Sequence, residues 1–244
     1  MPIQTGSLSH VYAVLNDIAV LLPVFLLVFT WRGFFRAAIA KLMGDDTAQR
    51  EGFLTLNPLA HVELVGLLVL MVVFFLMGVL FTGTLSRALL LIFWVIFGLR
   101  WTVPMPLDET RFWNYRLGGV MTALSGSLGN FTLAFLLVPI LKVVLNVGLP
   151  TYAFLTLIEI IKNVIDIALF FGVLDLIPVP PFSGGRMLTY ILPPSVQYIT
   201  EWLERYSFII FLVLFFFPVI SDIFLGSVII SAGLIKKLMF SLFF

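Results

Sequence analysis

The chain of 244 residues is 61% hydrophobic and only 11% charged, with a mean hydropathy of +1.14. A soluble domain is about half apolar and a quarter charged, so this composition excludes a water-soluble protein and indicates an integral membrane protein. The net charge of +1 argues against a nucleic-acid partner, and the lack of cysteine excludes disulfides and thiolate chemistry. His10 and His61 are the two histidines that remain as nitrogen ligands for a metal.

A helix that crosses a bilayer needs about 20 mostly apolar residues, and runs of this kind divide the chain. They predict an all-α polytopic protein of about six transmembrane segments, folded as one membrane domain over residues 1–244. Four predicted spans are 12–31, 63–81, 118–141 and 152–174, and the shorter run 88–99 completes a hairpin with the second or is re-entrant.

Proline interrupts the predicted helices in two places. The stretch 208–244 contains Pro218 and Ser221–Asp222, so it predicts either one kinked helix or two short ones. The segment 100–112 has spaced prolines and predicts a short extended or re-entrant piece. All other elements are predicted to be helical.

Basic residues predict how the chain is oriented in the membrane. Residues 1–31 contain no lysine or arginine, whereas the polar stretches that follow contain most of them. Cytoplasmic loops are enriched in these residues, so the N-terminus is expected outside and the loops 44–62, 101–116 and 183–204 in the cytoplasm. A prokaryotic inner membrane fits this pattern.

Three polar stretches interrupt the apolar chain, and each has an ordinary structural interpretation. In 44–63, the sequence NPL is typical of a turn that begins a new element. In 125–130, SGSLGN supplies small residues that let another membrane helix approach closely. In 175–186, DLIPVPPFSGGR ends a helix and forces an extended loop.

Taken together and in order, these stretches resemble the site-2 protease family of intramembrane zinc metalloproteases, in its short single-domain prokaryotic branch. The resemblance covers nearly the whole chain and implies that family's fold. Its blocks are GDDTAQREGFLTLNPLAHVE (44–63), FGLRWTVPMP (97–106), SGSLGN (125–130), DLIPVPPFSGGR (175–186) and LERYSFIIFLVLFF (203–216).

The resemblance also places the family's catalytic positions, and all four are changed here. The two histidines of HExxH align with Arg32 and Arg36, the general-base glutamate with Gly33, and the aspartate that is the third metal ligand with Ser183. Arginine has no lone pair to give a metal, and glycine cannot accept a proton. We therefore expect no catalytic residues, no metal and no cofactor. His61 is expected to form a hydrogen bond to a neighbouring loop.

These changes lead to the expectation that the chain is not an enzyme but a binding or scaffold subunit for a membrane protein partner or its transmembrane segment. The resemblance implies that a groove for the partner survives. Its candidate residues are Asn57, Pro58, His61, Asn130, Asp175, Pro178 and Pro180.

Two other functions stay open. One is an intramembrane protease that cuts a transmembrane substrate by a non-standard or partner-completed site. The other, weaker alternative is a transporter-like subunit, suggested by Glu159, Lys162 and Asp166 within the predicted span 152–174. Self-neutralising pairs at i,i+3 and i,i+4 would also explain those three charges.

Arg32 and Arg36 lie four residues apart, on one face of a helix. They are either positive-inside anchors that extend to lipid phosphates, or buried groups that place two positive charges where the family holds its metal. In the second case a buried charge must be paired. Asp175, whose family counterpart is a neutral asparagine, is then the expected partner.

Overall fold

A computed structural model describes residues 5–61, 105–148, 151–180 and 182–244. The predicted spans 63–81 and 88–99, and the larger part of the FGLRWTVPMP block, lie outside these residues. The described part is helical and contains no strand, which confirms the predicted α class for that part.

Four longer helices form the body of the described part, and four shorter ones connect them. We number them in chain order as α1 Thr5–Leu42, α2 Thr47–Arg50, α3 Tyr115–Val147, α4 Tyr152–Asp175, α5 Ser183–Ile191, α6 Gln197–Arg205, α7 Ser207–Phe216 and α8 Pro218–Phe243. Short 3₁₀ turns cover Pro58–Ala60, Glu109–Arg111 and Pro194–Val196.

Three helices are long and apolar enough to cross a membrane: Leu15–Leu42 in α1, Tyr115–Val147 in α3 and Val219–Phe243 in α8. They identify the chain as a membrane protein. The described residues contain three candidate spans, so the predicted number of about six is not confirmed. α4 does not qualify, because four of its 24 residues are charged: Glu159, Lys162, Asp166 and Asp175.

Several predicted boundaries are corrected. α1 continues beyond residue 31 to Leu42, and α3 runs from Tyr115 to Val147 rather than over 118–141. Asn114 begins α3, where its side chain accepts a hydrogen bond from the Leu117 amide at 3.0 Å, and Gly148 ends it in the left-handed region at φ 63°. The polar ends of both helices hid these extra turns from an apolar-run search.

The C-terminal stretch forms two helices, and the break lies at Phe217–Pro218 rather than at Ser221–Asp222. Proline is favoured in the first turn of a helix because its missing N–H is not needed there. Between residues 105 and 114 the chain is irregular around the 3₁₀ turn, so the expected extended piece is not a strand in its described part.

The core lies where α1, α3, α4 and α8 meet. Small residues of α3 let α1 come close: the Trp31 indole N–H donates to the Gly129 carbonyl at 2.9 Å, across the face that also carries Gly126. The structural interpretation of SGSLGN is therefore correct. The fully buried apolar side chains at this junction are Val24, Val28, Ala134, Val138, Leu141, Ile165 and Ala168.

Candidate functional site

The centre of the candidate site is an ion pair between α1 and the last residue of α4. Arg32 Nη2 lies 2.7 Å from Asp175 Oδ2, with 16% of the Arg32 side chain and 1% of the Asp175 side chain exposed. The contact is electrostatic, since neither Asp175 oxygen accepts a well-angled hydrogen bond. Arg32 is thus paired within the protein. It matches the prediction of a buried, paired arginine rather than that of an anchor that extends to lipid phosphates.

A glycine on α3 makes room for this pair. A Cβ added at Gly126 would lie 3.0 Å from Arg32 Nε and 3.4 Å from Asp175 Oδ2. A side chain at residue 126 would therefore press directly on the guanidinium and the carboxylate. The SGSLGN stretch thus contributes both close helix packing and space for the ion pair.

The loop after α4 folds back over the start of α5. The position of Gly184 faces the backbone of Leu176 and Ile177, and that of Gly185 faces Pro180, each too closely for any Cβ. The Pro-rich loop is therefore tied to the first turn of α5, which contains Ser183. This packing explains why two glycines follow Ser183 and keeps Asp175 and Ser183 in one compact unit.

His61 covers Gly33, the residue that the resemblance aligns with the family's general base. Its imidazole lies directly on Gly33, so that a Cβ there would overlap the ring. Nε2 lies 2.8 Å from the Thr55 carbonyl, which can only accept, so Nε2 donates this hydrogen bond, and Nδ1 is the ring nitrogen nearest Gly33. The expected hydrogen bond from His61 to a neighbouring loop is present, and the acceptor is in its own loop.

Arg36 lies one helical turn beyond Arg32 on the same face. Its Nε is buried and has no hydrogen-bond partner among the described residues. Arg32, Arg186 and Asp175 are its charged neighbours. Three guanidinium groups therefore surround one carboxylate, and the site has an excess of positive charge and an unused buried donor.

These side chains do not fit a zinc ion. A catalytic zinc site needs three histidine, carboxylate or thiolate ligands, and guanidinium groups cannot serve as any of them. Within the described ranges, no three histidine, cysteine, aspartate or glutamate side chains come close enough to share a metal. Asp175, the carboxylate of this cluster, is already bound to Arg32.

The other predicted groove residues lie at different depths. Asn57 is exposed and begins the 3₁₀ turn Pro58–Ala60, where its Oδ1 accepts from the Leu59 amide at 3.1 Å. Asn130 is fully buried, and neither atom of its amide group has a partner in the described structure. Pro178 is exposed and Pro180 is buried against Gly185. His61 and Asp175 contact neighbouring residues of α1, Gly33 and Arg32 respectively.

Two loops brace the C-terminal end of α1. Asp45 is fully buried: Oδ1 accepts from the Thr47 amide at 2.9 Å, and Oδ2 accepts from the Asp108 amide at 2.8 Å. Outside this buried link, Arg111 bonds both Asp46 and Asp108. The brace holds the 44–61 segment, and so His61, against α1.

Electrostatics favour the charged form of this brace. The Arg50 hydrogen bond to Asp46 lowers the pKa of that carboxyl, and hydrogen bonds from Thr110 lower the pKa of Asp108. On the other side of the loop, burial and a hydrogen bond to Glu109 raise the pKa of Tyr190, whose ring packs on Gly119.

Sequence reasoning missed two of these contacts. Tyr190 and Glu109 are 81 residues apart, and no local pattern links them. Asp166 was expected to be neutralised by Lys162 in its own helix, but its carboxylate binds Lys236 of α8. A lysine in the apolar α8, at a helical spacing that faces α4, is the signal that could have revealed the second pair.

The chain is 30% identical over 192 residues to "Putative zinc metalloprotease YwhC" of Bacillus subtilis (strain 168), an alignment that covers 78% of this chain and 77% of the relative. No family model matches the chain. No solved structure matches it either.

This relative corrects one prediction. The four changed positions led to the expectation that the chain is not an enzyme, and a homologue named as a zinc metalloprotease overturns it, because it points to protease activity. What is corrected is the expected lack of activity. The contacts described above for Arg32 and Asp175 do not change.

Identity at this level, across more than three quarters of both chains, goes with a shared fold. The chain therefore belongs to the site-2-protease-like family of membrane metalloproteases.

Proposed function

We propose that this protein is an intramembrane protease-like enzyme whose substrate is a membrane-embedded segment of another protein, held at the Arg32–Asp175 centre. The observation that carries the proposal is the buried Nε of Arg36, a donor with no acceptor in the described structure. The relative's name supports the protease part of it.

The chemistry of the centre suits an unwound peptide. A peptide segment at membrane depth must have its backbone groups hydrogen-bonded within protein. Its carbonyl oxygens are acceptors, and Arg36 offers the donor that lacks one, in a site where positive charge exceeds negative. Arg32 is already occupied by Asp175, so Arg36 is the group that meets the substrate.

Hydrolysis would use a non-standard or partner-completed site. Peptide cleavage by water requires a base, and His61 presents a neutral nitrogen, Nδ1, beside Gly33 at the family's base position. The fixed guanidinium charge of Arg36 would stabilise the oxyanion that develops on the carbonyl. The proton that Nδ1 takes from the attacking water would pass to the departing amine nitrogen, so that one water is added across the broken peptide bond.

Site-specific photo-crosslinking tests the binding step. A photoreactive residue is introduced at Val179, beside Asp175, and a control at Ile230, which is 65% exposed on α8. In vesicles with a single-span substrate protein, we expect crosslinks from residue 179, and their loss in Arg36→Gln but not in Arg205→Gln. Crosslinks from residue 230 alone would refute the proposal.

The same vesicles test the chemical step by mass spectrometry of the substrate. Cleavage within the transmembrane segment that falls in His61→Gln, and persists when a zinc chelator is present, supports the proposed site. Cleavage that the chelator abolishes would show that a metal does the chemistry and that His61 is not the base.

A further inference from the structure

A second polar surface lies on α4, away from the Arg32–Asp175 centre. Leu155, Glu159, Lys162 and Asp166 are all exposed and follow the spacing i, i+4, i+7 and i+11, so they form one stripe along the helix. We call these four residues the α4 stripe. The candidate protease site uses none of its three charged members.

The α4 stripe lies at membrane depth. α4 runs beside α1 from end to end: the Tyr152 hydroxyl is 3.4 Å from Asn16 Oδ1 at one end, and Asp175 binds Arg32 at the other. The matching part of α1 is a candidate membrane span. At about 1.5 Å per residue, Glu159 and Lys162 lie about 10 and 15 Å from the Tyr152 end.

Only one of the three charges is neutralised. Asp166 binds Lys236 of α8, whereas Glu159 and Lys162 have no ion pair among the described residues. Charged side chains at this depth are costly when they face lipid, and they normally face protein or a water-filled cavity. The exposed pair therefore indicates a surface that another protein segment covers.

The apolar runs outside the described structure carry no charge of their own. Residues 64–86 and 88–99 contain no charged residue, and Glu63, Arg87 and Arg100 flank these runs. A covering segment must offer one cation near Glu159 and one anion near Lys162. A second copy of this chain offers both.

Symmetry makes that match reciprocal. Two copies related by a two-fold axis along the membrane normal would place their α4 helices parallel, with equal residues at equal depth. Glu159 of one copy and Lys162 of the other would then differ by three residues, about 4.5 Å along the axis, which long side chains span. Two identical ion pairs result.

We propose that this protein forms a homodimer through the α4 stripe, with Glu159 of each protomer paired with Lys162 of its partner. The proposal rests on the stripe alone and is independent of the protease function. The Asp166–Lys236 pair lies next to the interface and forms within each copy, so it makes no ion pair between the copies.

Cysteine crosslinking in lipid vesicles tests the dimer, because the chain has no cysteine of its own. Leu155→Cys, at a position 58% exposed on the stripe, is the reporter, and Leu27→Cys, at a position 43% exposed on α1, measures random collisions. On oxidation we expect covalent dimers from the first reporter and only the collision background from the second, at both low and high protein-to-lipid ratios.

Charge reversal then tests the pairing. In the Leu155→Cys background, Glu159→Lys and Lys162→Glu each place like charges across the axis and should each abolish the crosslink. When the two variants are reconstituted together, every cross-chain pair has opposite charges again, and the crosslink should return between unlike chains.

Three results would overturn the proposal: monomers alone from Leu155→Cys, crosslinking that survives both reversals, or no recovery in the mixed sample. Crosslinking of the reporter in native membranes to a different protein, and never to itself, would show that a heterologous partner covers the stripe.

Discussion

Arg32 and Asp175 form the ion pair at the centre of the candidate site. Their charges meet at 2.7 Å in a buried position between α1 and the end of α4. Removing one member of a buried ion pair leaves the other charge without compensation, which makes the pair sensitive to conservative change.

Asp175→Asn is therefore expected to destabilise the protein strongly, by about 3–5 kcal/mol, the usual effect of breaking a buried pair. Thermal unfolding in detergent measures it, and Asp17→Asn, at an exposed position of α1, is the matched control. If Asp175→Asn and the double variant Arg32→Gln with Arg36→Gln both keep the wild-type melting temperature, the arginines are only anchors at the membrane surface.

Gly33 offers a second test, because the presence of His61 decides whether an alanine at residue 33 stabilises or destabilises the protein. Gly33→Ala drives a methyl group into His61 and should cost about 1–3 kcal/mol. In the His61→Ala background the obstacle is gone, and the same change should stabilise α1 by about 0.5–1 kcal/mol, since alanine favours a helix interior. Unfolding of the four proteins gives the coupling, and equal effects in both backgrounds would place His61 away from Gly33.

At the scale of elements, the loops that follow α1 and precede α3 act as one brace. Buried Asp45 joins them through two backbone amides, and Arg111 joins them on the outside. A polar loop was predicted at 44–62 from composition, but its partner was not, because the contacts span more than 60 residues of sequence.

The brace predicts how stability depends on acid. Asp46 and Asp108 have pKa values lowered below their ordinary value near 4, so their stabilising contribution is present above that value and is lost as the pH falls through their folded-state pKa values. We expect the melting temperature to drop as the pH falls below about 4, and Arg111→Gln to flatten that drop. An unchanged slope in this variant, relative to Arg205→Gln, would contradict the account.

Much of the helical framework could be predicted from the sequence, and the reasons for the failures are specific. Apolar runs located α1, α3 and α4, but polar caps such as Asn114 extended the helices beyond those runs. The Arg32–Asp175 pair followed from comparing each family position with its residue here. The covering of Gly33 by His61 and the Asp166–Lys236 pair depend on tertiary packing, which no local pattern reveals.

At the scale of the whole molecule, the distribution of basic residues predicts an outside N-terminus and a cytoplasmic brace. Single cysteines test this without background. Gln49→Cys, in the brace, should react only with a reagent applied from the cytoplasmic side, and Thr151→Cys, before α4, only from the outside. The reverse pattern would invert the orientation.

The central claim is that a family fold associated with zinc here contains an arginine–carboxylate centre where the metal would lie. Elemental analysis of the purified protein, after dialysis without chelator, tests it most directly. The account predicts zinc far below one ion per chain, with the same result for Asp175→Ala, because the wild-type centre has no ligand set to lose. About one zinc per chain that survives dialysis in the wild type, and disappears in Asp175→Ala, would contradict it.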